Sequence, residues 1–176
     1  MSNNFGDVTI LDYDDFSKRI TTIYKPKEWC ETLVYSPNEE YLAIGSHDDA
    51  IYIYKIADGK YNHHWSIINV HTSAILGMDW SRDSKYLRAV DQAYAKQFFN
   101  VEDCSAQPDG QTSLVDATMW QTATCKLGWE VMGVYPKGAD GTDINSVDCN
   151  NDRTLVVAGD DFGTICVFRF PVLQQD

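Results

Sequence analysis

One pattern occurs three times along the chain. The copies are LVYSPNEEYLAIGSHDDAIYIYKI at 33–56, MDWSRDSKYLRAVDQAYAKQFFNV at 78–101 and VDCNNDRTLVVAGDDFGTICVFRF at 147–170. Each copy has three apolar segments separated by two turns, the first polar and the second rich in Asp, Gly or Ala. Alternating apolar positions with β-branched and aromatic residues predict strands. Residues such as Ser36-Pro37-Asn38 are typical of tight turns between strands. The repeat therefore predicts an all-β chain.

The spacing of the repeat predicts the architecture. Tyr35 and Trp80 hold the same place in the first two copies and are 45 residues apart, whereas Trp80 and Cys149 are 69 apart. A four-stranded β-propeller blade takes ~40–45 residues. The longer interval therefore contains one blade and an enlarged connection, which includes LGWEVMGVYPKGADGTDINSV at 127–147. We predict a blade remnant at 1–28, a blade at 29–70, a degenerate blade at 71–122, and an extended connection with a blade at 123–176.

This division gives about three and a half four-stranded blades and an incomplete ring. Propellers usually close with about 4–8 blades, and an open ring leaves unpaired strand edges. We expect a segment of a larger propeller, a half-propeller completed by another chain, or a shortened piece of such a protein.

Individual residues give the blades the character of WD repeats. His71 precedes Asp79 by eight residues, a spacing typical of blade openings in which a loop histidine meets a strand aspartate. Asp48 stands where such repeats place a turn aspartate before the final aromatic residue. The second copy has Ala93 at that place, and is therefore degenerate. We predict structural roles for His71, Asp79 and Asp48.

Three stretches resemble the echinoderm microtubule-associated protein-like (EMAP-like) family. They are LAIGSHDDAIYIY at 42–54, the 127–147 segment and AGDDFGTICVFRFP at 158–171, in order and with compatible spacing. The resemblance implies tandem propellers that bind tubulin and associate with microtubules, this chain corresponding to the later part of the second propeller. The family's N-terminal coiled coil, its basic linker, the motif that opens its first propeller and a last blade after Pro171 have no counterpart here.

The composition of the chain argues against several functional classes. Of 176 residues, 14 are Lys or Arg and 26 are Asp or Glu, which gives a net charge of −12. Such a chain is unsuited to a phosphate backbone or an anionic membrane. No apolar run reaches the ~18–20 residues of a membrane span, and the N-terminal residues lack the features of a signal peptide. Five widely spaced cysteines form neither a disulfide framework nor a zinc pair. We predict a cytosolic protein.

Catalytic and metal-binding motifs are not found in the sequence. Asp161-Phe162-Gly163 spells the magnesium motif of kinases, but the other kinase motifs are missing, so a turn is predicted. DGTDINS lacks the carboxylate spacing of a calcium loop. His63 and His64 are adjacent and would point to opposite faces of a strand. We predict no enzyme, no cofactor and no metal.

The predicted function is a non-catalytic interaction module of a microtubule-associated protein that binds tubulin or another microtubule-associated partner. Its expected location is the cytoplasm, on microtubules, or the ciliary axoneme. The alternative is a ciliary or cytoskeletal scaffold segment that another propeller chain completes through its open edges, without affinity for tubulin. A metal-dependent or enzymatic propeller is a third hypothesis.

The candidate partner-binding residues are chosen in or beside the enlarged connection. Aromatic residues are included because exposed aromatic side chains often anchor interfaces. They are Trp129, Tyr135, Lys137, Asp140, Asp143, Asp161 and Phe162. Since tubulin is itself acidic, a chain of charge −12 would be repelled at long range. Binding would need a local complementary face or a site shielded from the acidic tails.

Overall fold

The computed structural model describes residues 1–93, 95–107, 119–126, 128–139 and 143–174. Thirteen strands lie within these ranges, in four antiparallel sheets. The first sheet is a pair, β1 (Val8–Leu11) and β2 (Arg19–Ile23). Blade 1 contains β3 (Cys30–Tyr35), β4 (Tyr41–Ser46), β5 (Ile51–Ala57) and β6 (Lys60–Ile67). Blade 2 contains β7 (Ile75–Trp80), β8 (Tyr86–Asp91), β9 (Lys96–Asn100) and β10 (Ala106–Gln107). Blade 3 contains β11 (Ile144–Cys149), β12 (Leu155–Asp160) and β13 (Ile165–Arg169).

Strands that are neighbours in the sequence are neighbours in each sheet, as in propeller blades. The predicted all-β class and blade architecture are therefore confirmed. The residue boundaries assigned to the blades stay a prediction; blade 1, for instance, has its strands within 30–67.

The first turn of every blade has the same backbone conformation. Glu39, Ser84 and Arg153 hold equivalent places in the three copies, and their φ angles are 61°, 62° and 55°. The amide of each donates to the carbonyl three residues earlier, over 2.9, 2.9 and 3.0 Å. A residue other than glycine adopts a positive φ only at some cost in energy. The recurrence of this conformation shows that the sequence repeat is a structural repeat.

The main hydrophobic core lies between blades 1 and 2. Ile51 and Ile53 of β5 pack with Met78 and Trp80 of β7, and all four are buried. The indole nitrogen of Trp80 donates to the carbonyl of Val34 in β3 over 3.1 Å. A second core lies between the β1–β2 pair and blade 1, and a third between blade 3 and the connection before it.

The first turns of the three blades lie on one side of the molecule. The amide of Asn38 donates to Oγ of Ser84 over 3.1 Å, and Nη2 of Arg82 donates to the carbonyl of Asn151 over 3.3 Å. Successive strands are antiparallel, so the turns that follow β4, β8 and β12 lie on the opposite side. We call that side the second-turn face.

The enlarged connection includes a 3-10 helix, Trp129–Val134, which precedes β11. Before it, residues 119–126 lie beside β7: the amide of Gln121 donates to the carbonyl of Trp80 over 2.8 Å. In the described ranges, no helix has both the length and the apolar character needed to cross a membrane.

Candidate interaction surface

The connection and the turn after β12 meet on the second-turn face of blade 3. The amide of Asp161 donates to the carbonyl of Asp143 over 3.0 Å, and Nδ2 of Asn145 donates to Oδ1 of Asp161 over 2.8 Å. The hydroxyl of Tyr135, which is half-buried, donates to the carbonyl of Lys126 over 3.0 Å. The two bonds of Asp161 hold the two segments together as one surface, and the bond of Tyr135 braces the connection itself.

Phe162 is the most prominent side chain of this surface, with 83% of it exposed. Its turn is well ordered, because Oδ1 of Asp160 accepts from the amides of Phe162 and Thr164 over 3.0 and 2.7 Å. Gly163 has a φ of 77°, which glycine adopts without a steric penalty. The sequence Asp161-Phe162-Gly163 is therefore a strand-connecting turn, and it presents an aromatic ring to solvent.

An apolar cavity of about 100 Å³ lies beside Phe162. Its other walls include Val134 and Pro136 from the connection and Cys166 and Phe168 from β13. The surface therefore combines a projecting ring with a small apolar recess, a combination suited to a protein partner.

The structure brings most of the predicted partner-binding residues to this end of blade 3. Tyr135, Asp143, Asp161 and Phe162 lie there, and Lys137 is exposed in the turn after Pro136. Two predictions lie outside the description: Asp140 is not among the described residues, and of Trp129 only the backbone, at the start of the 3-10 helix, is described. The role of these residues in binding stays a prediction.

A buried cluster of charges fastens the connection to blade 2. Nε of Arg88, in β8, donates to Oδ2 of Asp79 in β7 over 2.9 Å, and its Nη1 donates to Glu130 of the 3-10 helix. Nζ of Lys96, in β9, donates to Oε2 of Glu130 over 2.8 Å. Arg88, Asp79 and Glu130 are almost completely buried. Side chains from β8 and β9 thereby fix the helix that leads to the candidate surface, and Asp79 of β7 holds Arg88 in place.

The same cluster controls the ionisation of its carboxyl groups. Burial opposes ionisation of Asp79, but the charge of Arg88 and hydrogen bonds from Thr122 and Thr124 hold its pKa below the usual range. Burial likewise opposes ionisation of Glu130, and the charges of Arg88 and Lys96 hold its pKa below the usual range. The carboxylates are therefore charged and paired at neutral pH.

Sequence reasoning missed Arg88 and Glu130. The available signal was the apolar segment YLRAVD, in which Arg88 stands at the place of Ala43 in the first copy. A charged residue in the centre of a buried strand requires a buried partner. The identity of that partner, 42 residues away in sequence, follows only from the folded structure.

The predicted contact between His71 and Asp79 is wrong. Nδ1 of His71 lies 3.0 Å from Oδ2 of Asp91, at the end of β8, and both side chains are buried. The reason is strand alternation. The His71 ring contacts Phe99, which packs in the core between blades 1 and 2. Trp80 points into that same core, so its neighbour Asp79 points to the other side of β7. Asp79 instead accepts from Oγ1 of Thr122, as well as from Arg88.

Asp48 anchors its own turn in blade 1. Its Oδ2 accepts from the hydroxyl of Tyr52 over 2.7 Å and from the amide of Lys27 over 2.8 Å. Asp91 performs a comparable task in blade 2, where Oδ1 accepts from the amide of Ala95 over 2.9 Å. The blade with Ala93 in its turn therefore has an anchoring aspartate two positions earlier.

A double-mutant cycle can test the corrected pairing. We expect His71→Ala and Asp91→Ala each to lower the free energy of unfolding by about 1–3 kcal/mol, because each leaves a buried polar group without its partner. The two effects should be strongly non-additive in urea denaturation. The control cycle, His71→Ala with Asp79→Ala, should be additive within about 0.5 kcal/mol. The opposite pattern of coupling would restore the pairing expected from sequence.

Metal binding and cysteine reactivity can be assessed over the described residues. Over those ranges, no three His, Cys, Asp or Glu side chains are grouped so as to hold a metal ion. Burial, followed by the neighbouring charges of Asp48 and Asp103, raises the pKa of Cys30 and Cys104 to about 11. Both side chains are therefore neutral thiols rather than nucleophilic thiolates at neutral pH.

The repeated blades, their core and their turns define this chain as part of a WD-repeat β-propeller. A chain in the crystal structure of a mitotic checkpoint complex has the same fold, with a TM-score of 0.58 at 12% sequence identity. The superposition covers 96% of this chain and 45% of that one. At this identity the likeness concerns the fold alone.

The chain belongs to the echinoderm microtubule-associated protein family. The family model of the second β-propeller of these proteins matches residues 2–176. This match confirms the resemblance found in the sequence. It also indicates that the chain corresponds to the second β-propeller of these proteins.

Individual relatives also match most of the chain. A ciliary WD repeat-containing protein, ctxp80, of Euplotoides octocarinatus is 41% identical over 97% of this chain and 24% of its own length. The 77 kDa echinoderm microtubule-associated protein of Lytechinus variegatus is 39% identical over 83% of this chain and 22% of its own. Echinoderm microtubule-associated protein-like 1 of Mus musculus is 36% identical over 92% and 20%. The chain thus spans less than a quarter of the length of these relatives.

Proposed function

We propose that this chain is a non-catalytic interaction module that binds tubulin or a microtubule-associated partner through the second-turn face of blade 3. The observation that carries the proposal is Phe162, an exposed ring on an ordered turn beside an apolar recess. A large aromatic side chain at the centre of a contact surface commonly supplies a large part of the binding energy. Two of the relatives reported above are named microtubule-associated proteins, and this supports the choice of partner.

Electrostatics shape how this binding would respond to salt. The chain has a net charge of −12, and the segments that form the surface carry the carboxylates of Asp143, Asp160 and Asp161 with one exposed lysine, Lys137. Long-range repulsion from an acidic partner is screened by salt. Binding to tubulin is therefore expected to strengthen, not weaken, when moderate salt is added. The proposed location is the cytoplasm, on microtubules, including those of the ciliary axoneme.

A matched pair of phenylalanine variants can test this proposal. We expect Phe162→Ala to weaken binding to soluble tubulin by about tenfold, measured by co-elution with light scattering and by titration. The control is Phe16→Ala. Phe16 is 71% exposed in the loop between β1 and β2. This loop lies at one end of β2, whereas the connection that reaches the turn after β4 begins at the other end. Equal affinities of the two variants would contradict the assignment of the surface.

The scaffold alternative is favoured by a different feature of blade 3. Leu155 and Val157 of β12 and Val167 of β13 are exposed, and Val157 lies directly opposite Val167 in the sheet. Such an apolar sheet face could pack against another propeller chain. A stable homo-oligomer with no affinity for tubulin would support this alternative and contradict the first.

A further inference from the structure

A second aromatic surface lies on blade 1. Trp29, in the connection from β2 to β3, is 45% exposed although its ring stacks on the imidazole of His47. The ring centroids are 3.7 Å apart and the planes differ by 25°. The amide of His47 donates to the carbonyl of Trp29 over 3.0 Å. His47 begins the turn after β4, so the stack belongs to the second-turn face.

The position of the stack is fixed by its neighbours. Nε2 of His47 lies 3.2 Å from Oε2 of Glu31. Asp48, the next residue, holds the amide of Lys27 on one side and the hydroxyl of Tyr52 on the other. A tryptophan that is already held in place loses little side-chain entropy when a partner covers it. The exposed part of the Trp29 ring is therefore a ready-made docking platform.

The charges around the stack are mainly negative. The two segments that build it, 24–31 and 47–50, carry four carboxylates, those of Glu28, Glu31, Asp48 and Asp49, against the two lysines Lys25 and Lys27. The whole chain adds its net charge of −12. The environment therefore attracts cations.

We propose that the Trp29–His47 stack docks a lysine or arginine side chain from a basic segment of a partner protein. A cation placed over an indole face is attracted by the ring, by about 0.5–2 kcal/mol depending on its exposure. The surrounding carboxylates add attraction for a basic segment and repel an acidic one. The inference goes beyond the function proposed above, because it concerns blade 1 and a partner of opposite charge to tubulin.

The test uses the full chain and a short blocked peptide of alternating arginine and glycine, titrated by calorimetry. Peptides with glutamine or glutamate in place of arginine are the comparison probes. We expect binding of the arginine peptide, weakened by added salt, and no binding of the glutamate peptide. Trp29→Ala should weaken it about tenfold, and Trp29→Phe less, because indole is the strongest of the aromatic rings for cations.

Trp65→Ala is the matched control. Trp65 is 47% exposed but lies in β6, away from the His47 stack, and its loss should leave the affinity unchanged. Circular dichroism establishes that each variant is folded before titration. Unchanged affinity in Trp29→Ala, equal losses in both tryptophan variants, or equal binding of the glutamate peptide would each overturn the proposal. Neither tubulin nor Phe162 enters this experiment, so its failure is distinguishable from failure of the proposed function.

Discussion

Replacing Arg88 by alanine is expected to lower the free energy of unfolding by about 3–5 kcal/mol. The guanidinium is buried and bonded to the carboxylates of Asp79 and Glu130, which are also buried. Its removal leaves Asp79 without a cation and Glu130 with Lys96 alone. Urea denaturation followed by circular dichroism would measure the loss.

The matched control is Arg82→Ala. Arg82 is exposed and its guanidinium donates to the carbonyl of Asn151, so its replacement should cost no more than about 1 kcal/mol. A comparable loss in the two variants would show that burial of Arg88 is not what makes it important.

The cost of Arg88→Ala should also depend on pH. In the native chain the pKa values of Asp79 and Glu130 are held below their usual range, so their contribution to stability is present above about pH 4 and is lost as the pH falls through the folded values. In Arg88→Ala the buried carboxyl group of Asp79 has no cation beside it and should have a raised pKa, so that protonation relieves the penalty. The difference in stability between the two proteins should therefore shrink as the pH falls, first through the raised pKa of Asp79 in the variant and then, below about pH 4, through the lowered values of the native chain. A constant difference would contradict the ionic origin of the effect.

Trp80→Ala is expected to destabilise the chain by about 3–5 kcal/mol, the range for removing a large buried aromatic side chain. Trp80 belongs to β7 of blade 2, but its indole donates to Val34 of blade 1 and its ring stacks on Tyr41 with centroids 6.1 Å apart. The substitution therefore removes packing that joins two blades. Denaturation followed by two probes, one for each blade, would measure the stability and show whether the blades still unfold together.

Trp80→Phe is the companion variant. It keeps an aromatic ring in the core but leaves the carbonyl of Val34 without its donor, so the expected loss is smaller, about 1–3 kcal/mol. If Trp80→Ala unfolded with unchanged stability, the core between blades 1 and 2 would not be a source of cohesion.

The strands and their turns were predictable because their determinants are local. Alternation of apolar residues gave β5 and β13, and the polar turns gave the positions where the chain reverses. The positive φ at Glu39, Ser84 and Arg153 recurs because the same chain geometry is needed at each first turn. Contacts within a blade follow directly from such local signals.

Contacts between distant segments were not predictable in the same way. The pairing of Arg88 with Glu130 depends on how the connection folds back over blade 2, and no local pattern specifies that path. For the candidate surface, the sequence identified the residues of the connection and of the turn at Phe162 through their unusual composition. It did not identify Trp29, because the significance of that residue depends on its stack with His47, 18 positions later in sequence.

The position of the anchoring aspartate in blade 2 has a consequence for how its turn tolerates substitution. In blade 1 the turn itself carries Asp48, so a substitution there would release both Tyr52 and the amide of Lys27. In blade 2 the same fastening comes from Asp91 at the end of the strand, and Ala93 has no polar group to lose. Mutations at Ala93 can therefore accumulate at little cost in stability. A turn that departs from its motif is therefore not loosened when a residue at the end of the preceding strand fastens it, as Asp91 does here.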